Sequence, residues 1–430
     1  MTLLEELNFR GLIASTSGNL EELLSKPTAF YVGTDPTADS LHLGHLLAFT
    51  TAKLLQSYGH KPIVLLGGAT AFIGDPSFKS EERKLLSAET VAHNIEGIRA
   101  QVSKLIDFSS KEPNGAVMVN NYDWMKDMSF IDFAREVGKC ITVNYMMAKE
   151  SVKKRLEREG SGMSFTEFTY QLIQGNDFVE LYKKYDCKLQ IGGSDQYGNG
   201  MTGVELIHKM LKKDDACVLT WPLVTKADGT KFGKTEKGNI WLDPEKTSPY
   251  EFYQFWLNQS DADSERFIKL FTMIDVNEIM SLIEEHKKAP EKRLLQNTLA
   301  KYMTCLVHSE EAYNKAVEAS EILFGKGTMA DIQKLDEKTF LAAMNGVPTV
   351  EVNKEQFESG VTVIDLAVMH DKVPSKSEAR KLIKSNGFSI NKIKADTEKE
   401  VVTSPYLISG KYLLLQKGKK DYTLIVAKNS

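Results

Sequence analysis

The chain has 430 residues, of which 42% are apolar and 26% charged, a profile that excludes a disordered or fibrous protein and fits two or three folded domains. The formal net charge of −4 names no partner for the chain as a whole, although an average can hide a basic domain. Four cysteines, Cys140, Cys187, Cys217 and Cys305, stand far apart with no CxxC pair, which excludes a zinc ribbon and a disulfide framework and fits a reducing compartment. The opening MTLLEELNFRG carries Glu5 and Glu6 and no long apolar run, so it reads as neither a signal peptide nor a transit peptide. The longest apolar stretch, Ile63 to Gly74, is interrupted by Gly67 and Gly68 and is too short to span a bilayer. A cytoplasmic protein without a membrane partner is expected.

In chain order, Ala29 to Gly33 reads as a short buried strand, and a turn-rich loop follows to Asp39. Ser40 suits the N-cap of a helix over Leu41 to Tyr58, whose apolar face is Leu46, Leu47, Phe49, Leu54 and Leu55 and which Gly59 ends. Pro62 to Gly68 is a second buried strand, so the unit is βαβ with parallel strands. Ala116 to Asn120 is a strand, Phe130 to Glu157 mostly helix, and Phe165 to Leu181 a helix burying Phe168, Leu172, Ile173 and Phe178. Lys188 to Gly192 and Cys217 to Leu223 are strands. Past Ile240 the strand signals stop, and Pro249 to Leu323 has helical periodicity with a basic step at His286 to Arg293. Lys334 to Glu358 is charged and irregular, as a linker would be. A helical pair near Ser375 to Lys384 and strand-like Tyr412 to Gln416 and Tyr422 to Ala427 complete the tail. The fold class expected is α/β: a Rossmann-like, doubly wound parallel sheet, then a helical domain, then a small α+β domain.

Two of only eight histidines, His42 and His45, fall three residues apart in DPTADSLHLGH, at the start of the helix that leaves the first strand. Ligands bind in the crevice at the carboxyl ends of parallel strands, and a helix N-terminus attracts phosphate. Gly44 between them leaves room for a flat base against the backbone. Structural or surface histidines are the bland alternative. A metal site needs a third ligand that the neighbourhood does not obviously supply. The second motif is KFGKT, Lys231 to Thr235, in a glycine-rich polar loop that suits a mobile clamp on phosphate charge; a solvated basic loop is the alternative. GxxxxGK[ST] is absent there, so it is no Walker A loop.

HLGH resembles the HIGH signature, and KFGKT the KMSKS signature, of class I aminoacyl-tRNA synthetases. YVGTDPTADSLHLGH, GGATAFIGDPS, SFTEFTYQLIQGNDF and LQIGGSDQYGN resemble the bacterial-type tyrosyl-tRNA synthetase family, over almost the whole chain. The resemblance implies two-step attachment of L-tyrosine to tRNA(Tyr) by way of a tyrosyl-adenylate, with ATP as substrate, Mg²⁺ on the ATP phosphates and no protein-bound metal. By motif it implies that Tyr31 and Asp177 hydrogen-bond the tyrosine phenol, and an ionised Asp can only accept, so it selects an O–H. It further implies that Tyr170, Gln174 and Asp75 hold the substrate ammonium, with Thr70 and Gln190 completing the pocket. Tyr170, Gln174 and Asp177 share one helix face at i, i+4 and i+7. Gly33, Asp35, Gly44, Gly192, Asp195, Gln196 and Lys234 are implied for ATP or adenylate. Thr37, His42, His45, Lys79, Arg83, Lys231, Lys234 and Thr235 are implied for transition-state charge. Val32, Ala48 and Phe78 depart from residues that some relatives carry, and are expected to tune ATP affinity.

Gly360 to Ser430 holds 13 Lys and Arg against 7 Asp and Glu, and basic domains bind nucleic acid through phosphates. SKSEARKLIKSNGFSINK resembles the S-four-type RNA-binding module; a basic solubilising tail is the alternative. The expected domains are therefore 1–240 with a dimerisation insert at about 120–160, a helical anticodon-region domain over 241–335, a linker over 336–358 and an RNA-binding domain over 359–430. In the insert Phe130, Phe133, Val137, Val143 and Tyr145 to Met147 offer apolar surface to a homodimer or to the core. A tryptophanyl-tRNA synthetase, a small-molecule nucleotidyltransferase and a non-catalytic RNA-binding protein on a synthetase scaffold are the rival readings.

Overall fold

The computed structural model describes residues 1–75, 85–109, 111–157, 162–235, 238–325, 327–418 and 421–429. They form two compact units, Met1–Thr247 with Phe255–Val307, and Ser248–Gln254 with His308–Ser430. The helices of Phe255–Val307 thus group with the sheet that precedes them, and not with a separate domain beginning at 241.

The first unit is built on β1 (Ser15–Thr16), β2 (Ala29–Thr34), β3 (Lys61–Leu66), β4 (Val117–Asn120), β5 (Cys187–Gly193) and β6 (Cys217–Trp221), in the spatial order β1-β6-β5-β2-β3-β4. β2 to β6 are parallel to their neighbours. The sheet is mixed, because β1 runs antiparallel to β6; two exposed residues carry no apolar alternation that would announce a strand. All of β6 and all but the first residue of β3 are buried, which is why both read as unbroken apolar runs. The chain builds outward from β2 through β3 and β4, then returns to lay β5 on the other side of β2. Strand order reverses there, so the carboxyl ends of β2 and β5 flank a crevice.

Four helices shape that crevice: α1 (Leu43–Ser57), α2 (Ala88–Leu105), α3 (Phe165–Tyr185) and α4 (Tyr197–Leu211). A Ser164–Glu167 capping box opens α3, and Asp186 ends it in the left-handed region. α3 and α4 approach at glycines: a Cβ on Gly203 would lie 2.8 Å from Phe178 Cβ, and one on Gly175 only 3.3 Å from the Gly203 nitrogen. The helix expected over 130–157 is broken into Phe130–Glu136, Val143–Met147 and Glu150–Leu156, with a 3₁₀ turn at Gly138–Cys140. The breaks follow the packing. Val137, Ile141 and Met146 turn inward to join Tyr31, Leu172 and Phe178 in one core cluster, and the Thr142 hydroxyl caps the next short helix.

The second unit centres on a five-stranded sheet in the order Ile393–Lys394, Phe388–Ile390, Tyr412–Lys417, Asp421–Lys428, Thr349–Asn353. The last of these lies inside the stretch expected to be a linker. It pairs in parallel with Asp421–Lys428, and Val352 and Phe357 join the buried cluster of this unit, so 336–358 is structured. Its TVEVN alternation is short and half-exposed, and the surrounding charges mask it. In the basic step at 286–293, Lys287, Lys288, Lys292 and Arg293 are exposed, while His286 is buried against Asp261 at 3.1 Å and Arg293 donates to the Leu257 carbonyl at 2.5 Å.

Candidate active site

A cleft of about 760 Å³ opens at the β2–β5 crevice. Tyr31, Gly33, Asp35 and Thr37 enter from β2 and its loop, and His42, Gly44 and His45 from the start of α1. Thr70 and Asp75 come from the turn after β3, and Tyr170, Gln174 and Asp177 from one face of α3. Gln190, Gly192, Asp195 and Gln196 come from β5 and its end, and Lys231 and Lys234 from the glycine-rich loop. Val32 and Ala48 also line it. Lys79, Arg83 and Phe78 lie outside the described residues. The Thr235 backbone pairs with Gly238.

Tyr31 and Asp177 are each 1% exposed. The Tyr31 hydroxyl makes no hydrogen bond, an arrangement that is unfavourable unless a ligand completes it. Asp177 accepts from Asn121 Nδ2 at 3.0 Å and from Trp124 Nε1 at 2.9 Å. Burial pushes its carboxyl up to about 7, against the pull of those two donors, which favour the ionised form. Burial, and then the nearby Asp177, push the Tyr31 phenol well above its usual range. A dry pair of this kind reads one polar atom on an otherwise apolar ring.

Asn121 extends the network: it donates to Thr70 Oγ1 at 3.1 Å, and Thr70 donates to Asp35 at 2.7 Å. The Tyr170 hydroxyl donates to the other Asp35 oxygen at 2.8 Å. A second chain of amides runs from Asn199 to Gln174 at 2.9 Å, on to Gln196 at 3.2 Å, and ends on Asp75 at 2.7 Å. The Gln190 amide oxygen is buried without a partner. Carboxylates and amide oxygens thus converge on the cleft from α3, β5 and the turn after β3, a setting that suits a ligand ammonium.

The histidines differ from the expected first-turn placement. Ser40 is not the N-cap; Gln101 of α2 binds it and the Leu41 N–H, at 3.0 and 2.8 Å. His42 is itself the N-cap, with extended φ and ψ, and its ring accepts from the Gly44 N–H at 3.0 Å. The His45 ring accepts from the His42 N–H at 3.3 Å, and the two rings stack with centroids 3.9 Å apart. Both Nδ1 atoms accept backbone protons, so a neutral ring carries its proton on Nε2 and is a donor there. Side chains are common at N-caps, but histidine is not among the preferred ones, which is why Ser40 looked the better choice.

The KFGKT loop is anchored by its second residue. Phe232 is buried among Phe255, Trp256, Phe267 and Phe271, with ring centroids 4.8 to 5.7 Å away. Lys231 and Lys234 on either side are exposed. Gly233, at φ 74°, passes so close to α1 that a Cβ there would lie 3.0 Å from Leu43 Cβ. Sequence reading missed Asn121, Trp124, Asn199, Phe232 and Trp241. The first two sit at the carboxyl end of β4, where parallel strands place ligand-binding groups, and that position was the available signal.

Residues 24–325 match the family model of class I tRNA synthetases (W and Y). The chain belongs to the class I tRNA synthetases of that W and Y family. Residues 339–425 match the C-terminal domain model of SYY-like tyrosine–tRNA ligases. Among curated relatives, a tyrosine–tRNA ligase of Bacteroides fragilis is 57% identical over 431 aligned positions, covering 100% of each chain. One from Flavobacterium johnsoniae is 54% identical over 98% of this chain and 99% of its own. Among solved structures, a C-terminally truncated mitochondrial tyrosyl-tRNA synthetase of Coccidioides posadasii superposes with a TM-score of 0.65 at 33% identity, over 74% of this chain and 91% of that one. A tryptophanyl-tRNA synthetase of Plasmodium falciparum, at 16% identity and a TM-score of 0.53, shares the fold.

The carboxyl carbon of Asp177 is expected to titrate near pH 7 by NMR. Trp124→Phe removes a donor that favours the carboxylate, so the midpoint should move upward, by about one unit. A midpoint near that of an ordinary aspartate, in either chain, contradicts the burial argument.

Proposed function

We propose that this chain is a tyrosine–tRNA ligase: it activates L-tyrosine with ATP, releasing pyrophosphate, and passes the tyrosyl group to tRNA(Tyr), releasing AMP. The observation that carries the reading is the unpartnered Tyr31 hydroxyl beside a buried Asp177, a floor that a phenol O–H satisfies and a phenyl or indole ring does not. Tyr31 and Asp177 then read the phenol, and Asp75, Tyr170, Gln174, Gln190 and Thr70 hold and orient the ammonium end. Gly33, Asp35, Gly44, Gly192, Asp195 and Gln196 face the nucleotide. An indole N–H could donate to Asp177 but offers no acceptor to the Tyr31 hydroxyl, whereas a phenol offers both, which disfavours the sister enzyme.

The tyrosine carboxylate attacks the α-phosphorus of ATP, the bond to the bridging oxygen breaks, and pyrophosphate leaves with the electron pair. The carboxylate is already ionised at neutral pH, so no general base is needed. Rate then comes from positioning and from donors aimed at developing charge. His42 and His45 present Nε2–H donors, Thr37 lies beside them, and Lys231, Lys234 and Thr235, with Lys79 and Arg83, close on the leaving group. Mg²⁺ enters on the ATP phosphate oxygens, its preferred hard ligands. Among the described residues no group of three or more His, Cys, Asp and Glu is placed to hold a metal ion.

We assign tRNA binding to the C-terminal unit, where Lys381, Lys384, Lys394 and Lys399 are exposed. The domain plan of a catalytic region, a helical region and an S-four-type tail belongs to this reading, as does work in the cytoplasm, where the substrates are. No described helix is long and apolar enough to cross a membrane. A homodimer formed through the insert is supported by Phe130, Ile131 and Val143, which are 70%, 73% and 62% exposed, a cluster that water does not favour. Val137 and Met146 face the core instead. Sedimentation should give twice the chain mass, and Phe130→Asp with Val143→Asp should shift it toward the monomer; a monomeric wild type contradicts the dimer.

The activity test is ATP–pyrophosphate exchange. Tyrosine should drive it, and phenylalanine and tryptophan should not. Tyr31→Phe should lower kcat/KM for tyrosine by about tenfold, as expected for one lost hydrogen bond at a buried site, and narrow the margin over phenylalanine. Exchange driven by tryptophan, or by no amino acid, contradicts the reading.

A further inference from the structure

One short strap ties the two signature motifs together. The Ile240 N–H donates to the Gly233 carbonyl at 2.9 Å, and the Ile240 carbonyl accepts from the Leu43 N–H at 2.9 Å. The backbone of a single residue thus bridges the lysine loop and the first residue of α1. The next residue continues the pairing. Trp241 forms an antiparallel bridge with His42, and the Leu242 N–H donates to the Leu41 carbonyl at 2.8 Å.

The Trp241 ring meets the His42 ring nearly edge-on, with centroids 5.8 Å apart and planes at 69°. His42 is therefore fixed on three sides: by the stacked His45 ring, by the Gly44 N–H on Nδ1, and by Trp241. Trp241 is itself braced. Its N–H donates to Thr247 Oγ1 at 2.9 Å, and the Lys246 ammonium lies 5.4 Å from its ring centroid. Lys246 also pairs with Asp39 at 2.7 Å, three residues before His42. That ammonium holds the Asp39 carboxyl below its usual range. The ends of the strap are thereby closed onto the same loop that carries the histidines.

We propose that Trp241 is a positioning residue for the activation step: it holds the His42 ring in place at the wall of the cleft, while the strap from Ile240 to Lys246 seats the lysine loop on the same helix start. A donor fixed before the reaction needs no reorganisation when charge develops on the phosphate, and a displaced one does. Tyr31, Tyr170, Gln174, Asp177 and Gln190 lie on β2, α3 and β5, and none of the strap's hydrogen bonds described above ends on them. Loss of Trp241 should therefore reach the rate of activation and leave the grip on tyrosine.

The inference rests on the ligase reading, and the test separates the two. Tyrosine-dependent pyrophosphate exchange is measured for the native chain, Trp241→Ala, His42→Ala and the double variant. Trp241→Ala should lower kcat on the order of tenfold with KM for tyrosine within about twofold. Trp241→Phe, which keeps an aromatic edge, should recover most of the loss. The double variant should be no slower than His42→Ala alone, because Trp241 acts through a ring that is no longer there. Losses that multiply in the double variant, or a Trp241→Ala effect confined to KM for tyrosine, overturn the proposal. Should Trp241→Ala fail to fold, Lys246→Ala carries the same cycle: its kcat loss should vanish in the His42→Ala background, and an equal loss in both backgrounds overturns the proposal. A native chain without any tyrosine-dependent exchange overturns the ligase reading and this inference with it.

Discussion

The cleft depends on one constraint: a hydroxyl and a carboxyl are kept dry at its floor. Desolvating Asp177 is unfavourable, and the Asn121 and Trp124 donors offset only part of that. Leaving the Tyr31 hydroxyl unbonded is unfavourable as well. Both penalties are relieved by a ligand whose ring carries a single O–H in the right place. On the reading proposed above, the free protein holds its recognition energy as unmet hydrogen bonding, and an isosteric ring without the O–H would recover none of it. The surrounding architecture maintains that state. Tyr31 lies on a central parallel strand, Asp177 on a helix packed across glycines, and Asn121 at the end of a third strand, so that the pair cannot relax toward water without disturbing the sheet.

The opposite wall follows a different logic. There the need is for donors in fixed positions facing a multiply charged group. The chain meets it with an unusual helix cap, in which His42 satisfies an N–H of its own helix and His45 satisfies the His42 N–H. Each ring thereby spends its Nδ1 on the backbone. The lysine loop is tethered by one buried aromatic, Phe232, between two exposed lysines. The rigid residue and the mobile charges alternate within five positions.

Much of this was legible in the sequence, for physical reasons that differ by element. Buried parallel strands write themselves as unbroken apolar runs, so β2, β3, β5 and β6 were recognisable, and with them the crevice and the helix start. Tyr170, Gln174 and Asp177 were picked out by the resemblance of their motif to the family, and helical spacing then put them on one face. What escaped was whatever depends on partners distant in the chain. Ser40 is a better cap by preference than His42, but its hydroxyl is taken up by the Leu41 carbonyl and by Gln101 of α2. Thr349–Asn353 is a strand because Asp421–Lys428 lies beside it; alone it is a charged loop. Asn121 and Trp124 carry no motif, and their importance comes from the partners they meet, Asp177 for both and Thr70 for Asn121. The break-up of 130–157 reflects three inward turns that periodicity averages away.

The most direct measurement of the central claim is a crystal structure of the protein with tyrosine and a non-hydrolysable ATP analogue. The account predicts the phenol oxygen within hydrogen-bonding distance of both the Tyr31 hydroxyl and an Asp177 carboxylate oxygen, with Asn121 and Trp124 still on Asp177. A tyrosine ring seated elsewhere in the cleft, or a phenol that leaves the Tyr31 hydroxyl unbonded, would contradict it.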